Sequence, residues 1–389
     1  MTLIKQGSRT GHASSPTLKR ALLSAAGGAA LLICDQSAAW AACSPSAAND
    51  VVAICDGTIT TQYGSGAETN GSITVNSGAS LSVAGVYAIN FGSLTNVANY
   101  GTIAAAPATN TNATAISAFT AAVTVNNYTA AAITATTSGT GSAVGVYGKT
   151  TATVASNVGN ITASASGSGN AQGVKADANA VITNDSGGVI SGTSGTGVGQ
   201  GVVSGTTATV SNAGAIRGIV TGASGGAVGV ISGNDASITN IGSGSIISGT
   251  AAGSGTGYGV FSTYAPITIN ANAGAIYGTS GSGGGSGVYT YGSVATVTVT
   301  GNAGDIYGTS GSSEASGLRA YAGASAIPGL ESFDLPGAQI SNRFRPVGHV
   351  GLFYQIDRTQ RLTGHVSVRG QAFSSQMAVN VMGGYQVAF

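Results

Sequence analysis

Charge is what this chain has least of. Lys and Arg number 13 and Asp and Glu 12 in 389 residues, 6% charged against about 25% in an ordinary soluble domain. Too few charged side chains are available to solvate the outer faces of helices, and helical spacing of apolar residues is absent as well. The formal net charge is only +1 and no basic patch stands out, so no nucleic-acid partner is expected. Histidine is confined to His12, His349 and His365, which leaves everything between them without an imidazole base for a serine nucleophile. Cysteine is limited to Cys34, Cys43 and Cys55.

What the chain does have is glycine, 64 residues, together with 42% hydrophobic content. Disorder goes with low hydrophobicity and high charge, and this composition has neither. Repetitive β-structure is the alternative, and the clearest repeat lies at residues 272–318. There Asn272-Ala-Gly-Ala-Ile276-Tyr-Gly-Thr-Ser-Gly-Ser282 returns as Asn302-Ala-Gly-Asp-Ile306-Tyr-Gly-Thr-Ser-Gly-Ser312. Each copy is followed by a Gly-apolar pair, Gly287-Val288 and Gly317-Leu318. A period of this size points to stacked units, each of which buries its apolar face against the next.

The isoleucine slot continues backwards as Ile247, Ile216, Ile190, Ile161, Ile133 and Ile103, at spacings of 26 to 31 residues. A Gly-Val slot runs beside it through Ile116, Val146, Val174, Val202, Val230, Val260, Val288 and Leu318. The third slot is a β-branched residue just before asparagine: Val97, Val125, Val154, Ile182, Val210 and Ile238. Two-residue alternation within the slots marks strands, clearest where Val297 and Val299 oppose Thr296, Thr298 and Thr300. Three slots per period predict an all-β parallel β-helix of about eight rungs with three strands each, right-handed by the usual crossover sense. The Gly, Ser and Thr connections, such as 193–201 and 279–287, are expected to project along one edge and vary there. Asn157, Asn212, Asn272 and Asn302 each stand four residues before a marker isoleucine, and stacked amides at one position can form a ladder.

The two ends differ from the repeat. Lys5, Arg9, Lys19 and Arg20 precede an apolar run at 21–33, and Ala39-Trp40-Ala41 supplies small residues for cleavage, so residues 1–41 are expected to be a signal peptide. The run is too short to span a bilayer as a helix. Export places Cys43 and Cys55 in an oxidising compartment, where they are near enough in sequence to close a small disulfide loop. Acylation of Cys34 or Cys43 is the competing reading; Ile33 and Trp40 fit it poorly. Residues 42–70 are expected to cap the helix over 71–326, with 327–348 as a linker around Pro328 and Pro336. From 349 to 389 the alternation sharpens: Leu362, Gly364, Val366 and Val368 oppose Arg361, Thr363, His365, Ser367 and Arg369. Val379, Val381, Gly383, Tyr385, Val387 and Phe389 share a face in the last segment, the pattern of outer-membrane barrel strands, and Asp357-Arg358-Thr359-Gln360 is expected as a short turn.

With its leader, Cys-bracketed start, Asn-Ala-Gly-x-Ile repeats and closing Gly-Gly-Tyr-Gln-Val-Ala-Phe, the chain resembles a Gram-negative autotransporter of the classical type V secretion kind. The resemblance implies a passenger carried to the cell surface by its own barrel, with Tyr385, Val387 and Phe389 as the signal read by barrel-assembly machinery. It also implies the outer membrane and a host or bacterial surface ligand as partners. Family members build about twelve strands from one chain, whereas residues 327–389 hold three or four. The barrel is therefore expected to be a shortened relic, with a barrel shared between chains, as in trimeric autotransporters, as the other outcome and the only one that makes an oligomer.

Chemistry is sparse. Asp185-Ser186-Gly187-Gly188 resembles a serine-protease nucleophile motif, but the passenger offers that serine no histidine, and a turn is the expected role. Asp177, Asp185, Asp235 and Asp305 are isolated and lack calcium-repeat spacing. Glycine-rich matches to phosphate loops carry no information in a chain this rich in glycine, and the Thr-x-Thr pairs at 151, 207 and 296 skip rungs, unlike an ice-binding array. No catalytic residue, cofactor or metal is expected. The reading is a non-catalytic, surface-displayed or secreted passenger acting in adhesion, with a passenger hydrolase and a translocator pore as alternatives.

Overall fold

The computed structural model describes residues 42–291, 295–321, 347–355, 360–370 and 377–387, which divide into two compact units at Leu335/Pro336. Among the described residues there is no helix, and every regular element is a strand. In the first unit the strands stack into three sheets of eleven, ten and nine, each visited once per turn. All neighbours in these sheets are parallel except at the amino-terminal edge, where Ala42–Ser44 runs antiparallel to Val52–Asp56. The result is a β-solenoid of about nine full turns.

Periodicity converts directly into this stack. In the second sheet Leu81, Ile103, Ile133, Ile161, Ile190, Ile216, Ile247, Ile276 and Ile306 lie in direct register. Ile89, Ile116, Val146, Val174, Val202, Val230, Val260, Val288 and Leu318 form the matching column of the third sheet. All are fully buried except the last of each column, Ile306 and Leu318, which only partly pack against the core. Each buried branched side chain contributes about 1.5–3 kcal/mol of apolar transfer, so the columns carry much of the stability. The expected eight rungs become about nine because the first turn, Gly71–Val75, Ser80–Val83 and Tyr87–Phe91, fills the slots with Leu81 and Ile89 instead of the repeat residues.

The Gly-Val pair has a packing cause. A Cβ on Gly229 would sit 2.9 Å from Ile247 Cγ2 and 2.6 Å from the Gly259 carbonyl oxygen, and Gly173, Gly201, Gly259 and Gly287 meet the next isoleucine in the same way. The third sheet turns inward at this glycine, and the isoleucine of the following turn occupies the space a side chain would need. Glycine is required here by close approach.

One expectation fails at the connections. Strands of the second and third sheets extend through the Ser and Thr residues to Ser194 and Ser280 and resume at Gly199 and Gly285, so only 195–198 and 281–284 remain between them. These short connections do not form long separate loops. Gly222 N–H donates to the Gly195 carbonyl at 2.7 Å, and Ser254 to Ala223 at 2.9 Å, so successive connections are bonded rung to rung. Low side-chain bulk lets the backbone ladder continue through them.

The second unit contains one antiparallel sheet of three strands, Val347–Gln355, Gln360–Gly370 and Met377–Val387. Its register sets Val366 opposite both Val350 and Val381, and Leu362 opposite both Tyr354 and Tyr385. The signal-peptide segment, most of the linker and residues 357–359 of the expected turn lie outside the described residues.

Candidate functional site

Cys43 and Cys55 are cross-strand partners in the antiparallel pair at the amino-terminal edge and are joined by a disulfide. The strand that carries Cys55 pairs in turn, in parallel, with Gly71–Val75. Thr58–Ile59 pairs with Ser80–Val83 as well, so the residues ahead of 71 form a partial turn continuous with the solenoid sheets. Tyr63 adds a bridge to Ile89, packs against Phe91 and donates its hydroxyl to the Pro45 carbonyl at 2.8 Å.

The asparagines at the corner between the first and second sheets form one unbroken ladder. Asn99 donates Nδ2–H to Asn127 Oδ1 at 2.8 Å, and the pattern continues through Asn157, Asn184, Asn212, Asn240, Asn272 and Asn302 at 2.7–2.8 Å. The second Nδ2 hydrogen reaches a carbonyl on the following turn, from Asn99 to Ala132 and from Asn212 to Ile246, so both donors are used. Seven of the amides are buried and Asn302, at the end, is exposed. The four asparagines expected from the isoleucine spacing belong to this ladder, and Asn99, Asn127, Asn184 and Asn240 belong to it too. In the last three the isoleucine is six or seven residues on, because longer corners intervene. Distance from the preceding β-branched residue is the better index: two residues in Asn127, Asn184, Asn212 and Asn240, and three in Asn157 and Asn272, where the ladder register shifts.

Corner length also shapes the surface. From ladder asparagine to marker isoleucine the corner after Asn184 takes six residues, the corner after Asn212 four, and the corner after Asn240 seven. A short corner between two long ones leaves a notch of about 560 Å³. Its walls are Ser186, Gly187 and Gly188 on one side and Ile241, Gly242, Ser243 and Gly244 on the other, and Arg217 lies at its floor. The serine motif is thus a corner turn, with Asp185 accepting a hydrogen bond from Ser156 at 2.5 Å and Gly187 at φ 84°.

Elsewhere the outer faces carry side-chain stacks. On the third sheet Tyr147 and Lys149 both donate to Asp177 at 2.8 Å, and Lys175 stands 3.8 Å from the same carboxylate. Burial alone would raise the Asp177 carboxyl, but the hydrogen bonds from Lys149 and Tyr147 and the charge of Lys175 outweigh it and hold the group below its ordinary value. Burial and the Asp177 hydrogen bond push the Tyr147 hydroxyl well up. Further along the same sheet Tyr258, Phe261 and Tyr289 stack with centroids 5.1–5.6 Å apart. Tyr277 and Tyr307 do the same on the second sheet at 5.1 Å. Such faces offer contact and stacking. Among the described residues no three His, Cys, Asp or Glu side chains converge.

Tyr385 and Val387 lie in the last strand, Met377–Val387, opposite Leu362 and Gln360; Phe389 lies outside the described residues. Comparison of the chain with protein-family models, with curated proteins and with solved structures gives no match.

Proposed function

We propose that this chain is the β-helical passenger of a type V autotransporter, exported through its leader and displayed at or released from the cell surface, where it acts by adhesive contact and not by catalysis. The observation that carries the reading is the union in one chain of a solenoid with antiparallel strands of nine, eleven and eleven residues. Strands of about 9–11 residues are the length that crosses an outer membrane. In this reading the three strands are the remnant of a translocator barrel, Tyr385, Val387 and Phe389 address it to the assembly machinery, and the solenoid coils right-handed. The solenoid supports adhesion because its core is fixed by two-residue alternation while the outward positions are free to carry aromatic and charged stacks. Serine catalysis has no support at Ser186, since the sequence holds no histidine from residue 13 to 348.

The test is expression of the full chain in a Gram-negative host, followed by fractionation and protease treatment of intact cells. Surface exposure is expected as solenoid fragments shed from intact cells or secreted, with the carboxy-terminal segment in the outer-membrane fraction. Retention of the whole chain in the cytoplasm or periplasm would reject export and display together.

A further inference from the structure

Among the described residues, the charge of Arg217 has no ion-pair partner. It projects from the outer side of the second sheet, in register between Ser191 on one turn and Ser248 on the next. Both neighbours are small, so the long side chain can lie along the sheet between them, and its Nε is buried with no hydrogen-bond partner. A buried donor on a charged group without an acceptor is costly and rare, which makes the group at the floor of an open notch the informative one. The lining of the notch holds no carboxylate to answer it.

The notch around the guanidinium has mixed chemistry. Ser186 and Ser243 stand on opposite walls, and Ile241, half exposed at 51%, Val189 and Ile246 give it apolar surface. The walls belong to corners two turns apart, so their backbones are on the order of 10 Å apart by the spacing of stacked strands. After van der Waals radii that gap admits one ring. The volume lies within the range of small-ligand sites.

The geometry points to a binding site for a carboxylated sugar in this notch. A carboxylate would take two terminal N–H groups of Arg217 end-on, the paired geometry that guanidinium offers and ammonium does not. Ring hydroxyls would meet the serines, and the C–H face of the ring would lie on Ile241. A phosphate dianion fits less well, because the lining contains a single cation. The carboxylate could come from a uronic acid of a polysaccharide or from a sialic acid of a glycoprotein, and the chemistry shared by both is what the notch recognises. This inference stands apart from export and display.

The test is titration of the purified full chain by calorimetry with glucuronate, N-acetylneuraminate, glucose, N-acetylglucosamine and inorganic sulfate. At least one acidic sugar is expected to bind more tightly than either neutral sugar, and which acid binds better identifies the source. Arg217→Gln should raise Kd at least tenfold, and Arg217→Lys should do nearly the same because it keeps the charge and loses the fork. Ser243→Glu supplies an internal carboxylate across the notch and should weaken binding while far-UV dichroism stays that of the parent chain. Equal binding of neutral sugars, sulfate binding as tightly as the sugars, unchanged affinity in Arg217→Gln, or no binding by either acid would each overturn the assignment.

Discussion

At the scale of single residues, a ladder amide differs from an ordinary buried polar group in having partners on both sides. Asn212 accepts from Asn184 at 2.7 Å and donates to Asn240 at 2.8 Å, and its second hydrogen serves the Gly214 and Ile246 carbonyls. Asn212→Ala therefore strands the Asn240 oxygen and part of the Asn184 donor in a dry corner, each worth about 1–3 kcal/mol. We expect a loss of about 2–4 kcal/mol in urea unfolding. Asn302→Ala, at the exposed end of the same ladder, should cost less than about 1 kcal/mol, as exposed substitutions do. Equal losses at the two positions would show that the stacking of amides adds nothing beyond the local turn.

At the scale of the strand and its corner, legibility follows from what each element depends on. The isoleucine and valine columns could be read because a buried slot tolerates only branched apolar residues, and the period-two alternation fixes which way they point. Three of the eight ladder asparagines, Asn127, Asn184 and Asn240, are hidden by corner length: Tyr128, Asp185 and Ile241 begin insertions that shift the isoleucine without moving the amide. The notch at Arg217 was not legible at all, since it arises from three corners distant in sequence whose lengths happen to alternate. The connections at 195–198 and 281–284 were misread because Gly, Ser and Thr suggest loops, while here they continue the backbone ladder.

Glycine separates the two element-level causes cleanly. Gly229 is closed by Ile247 and by the Gly259 carbonyl, whereas Gly242 has φ 92° and nothing within 4 Å of an added Cβ. Gly229→Ala should cost about 1–3 kcal/mol by overpacking, and the companion change Ile247→Ala, which removes the Cγ2 it strikes, should interact with it in a double-mutant cycle. Gly242→Ala should cost about 1–2 kcal/mol from left-handed backbone alone and show no coupling to Ile247. Thermal or urea unfolding of the three single variants and of the two double variants, each glycine change combined with Ile247→Ala, measures both.

At the scale of the whole solenoid, turns contact only their neighbours, so opening proceeds from the ends and the two ends are unlike. The amino-terminal edge is closed by an antiparallel strand, and the Cys43–Cys55 bond cross-links a 12-residue separation, worth about 3 kcal/mol in chain-entropy terms. The last turn has Asn302 exposed and Ile306 and Leu318 only partly packed. Hydrogen exchange on the full chain should therefore show amides of Val297–Val299 and Asp305–Ser310 exchanging first, those of Val189–Ser194 and Ala215–Val220 last, and Gly71–Val75 nearly as protected as the centre. Reduction of the disulfide should speed exchange in Val52–Asp56 and Gly71–Val75 while leaving the central strands unchanged. Uniform protection along the stack, or loss of central protection on reduction, would mean that the turns open as a single cooperative block, and the nearest-neighbour account of this solenoid would be wrong.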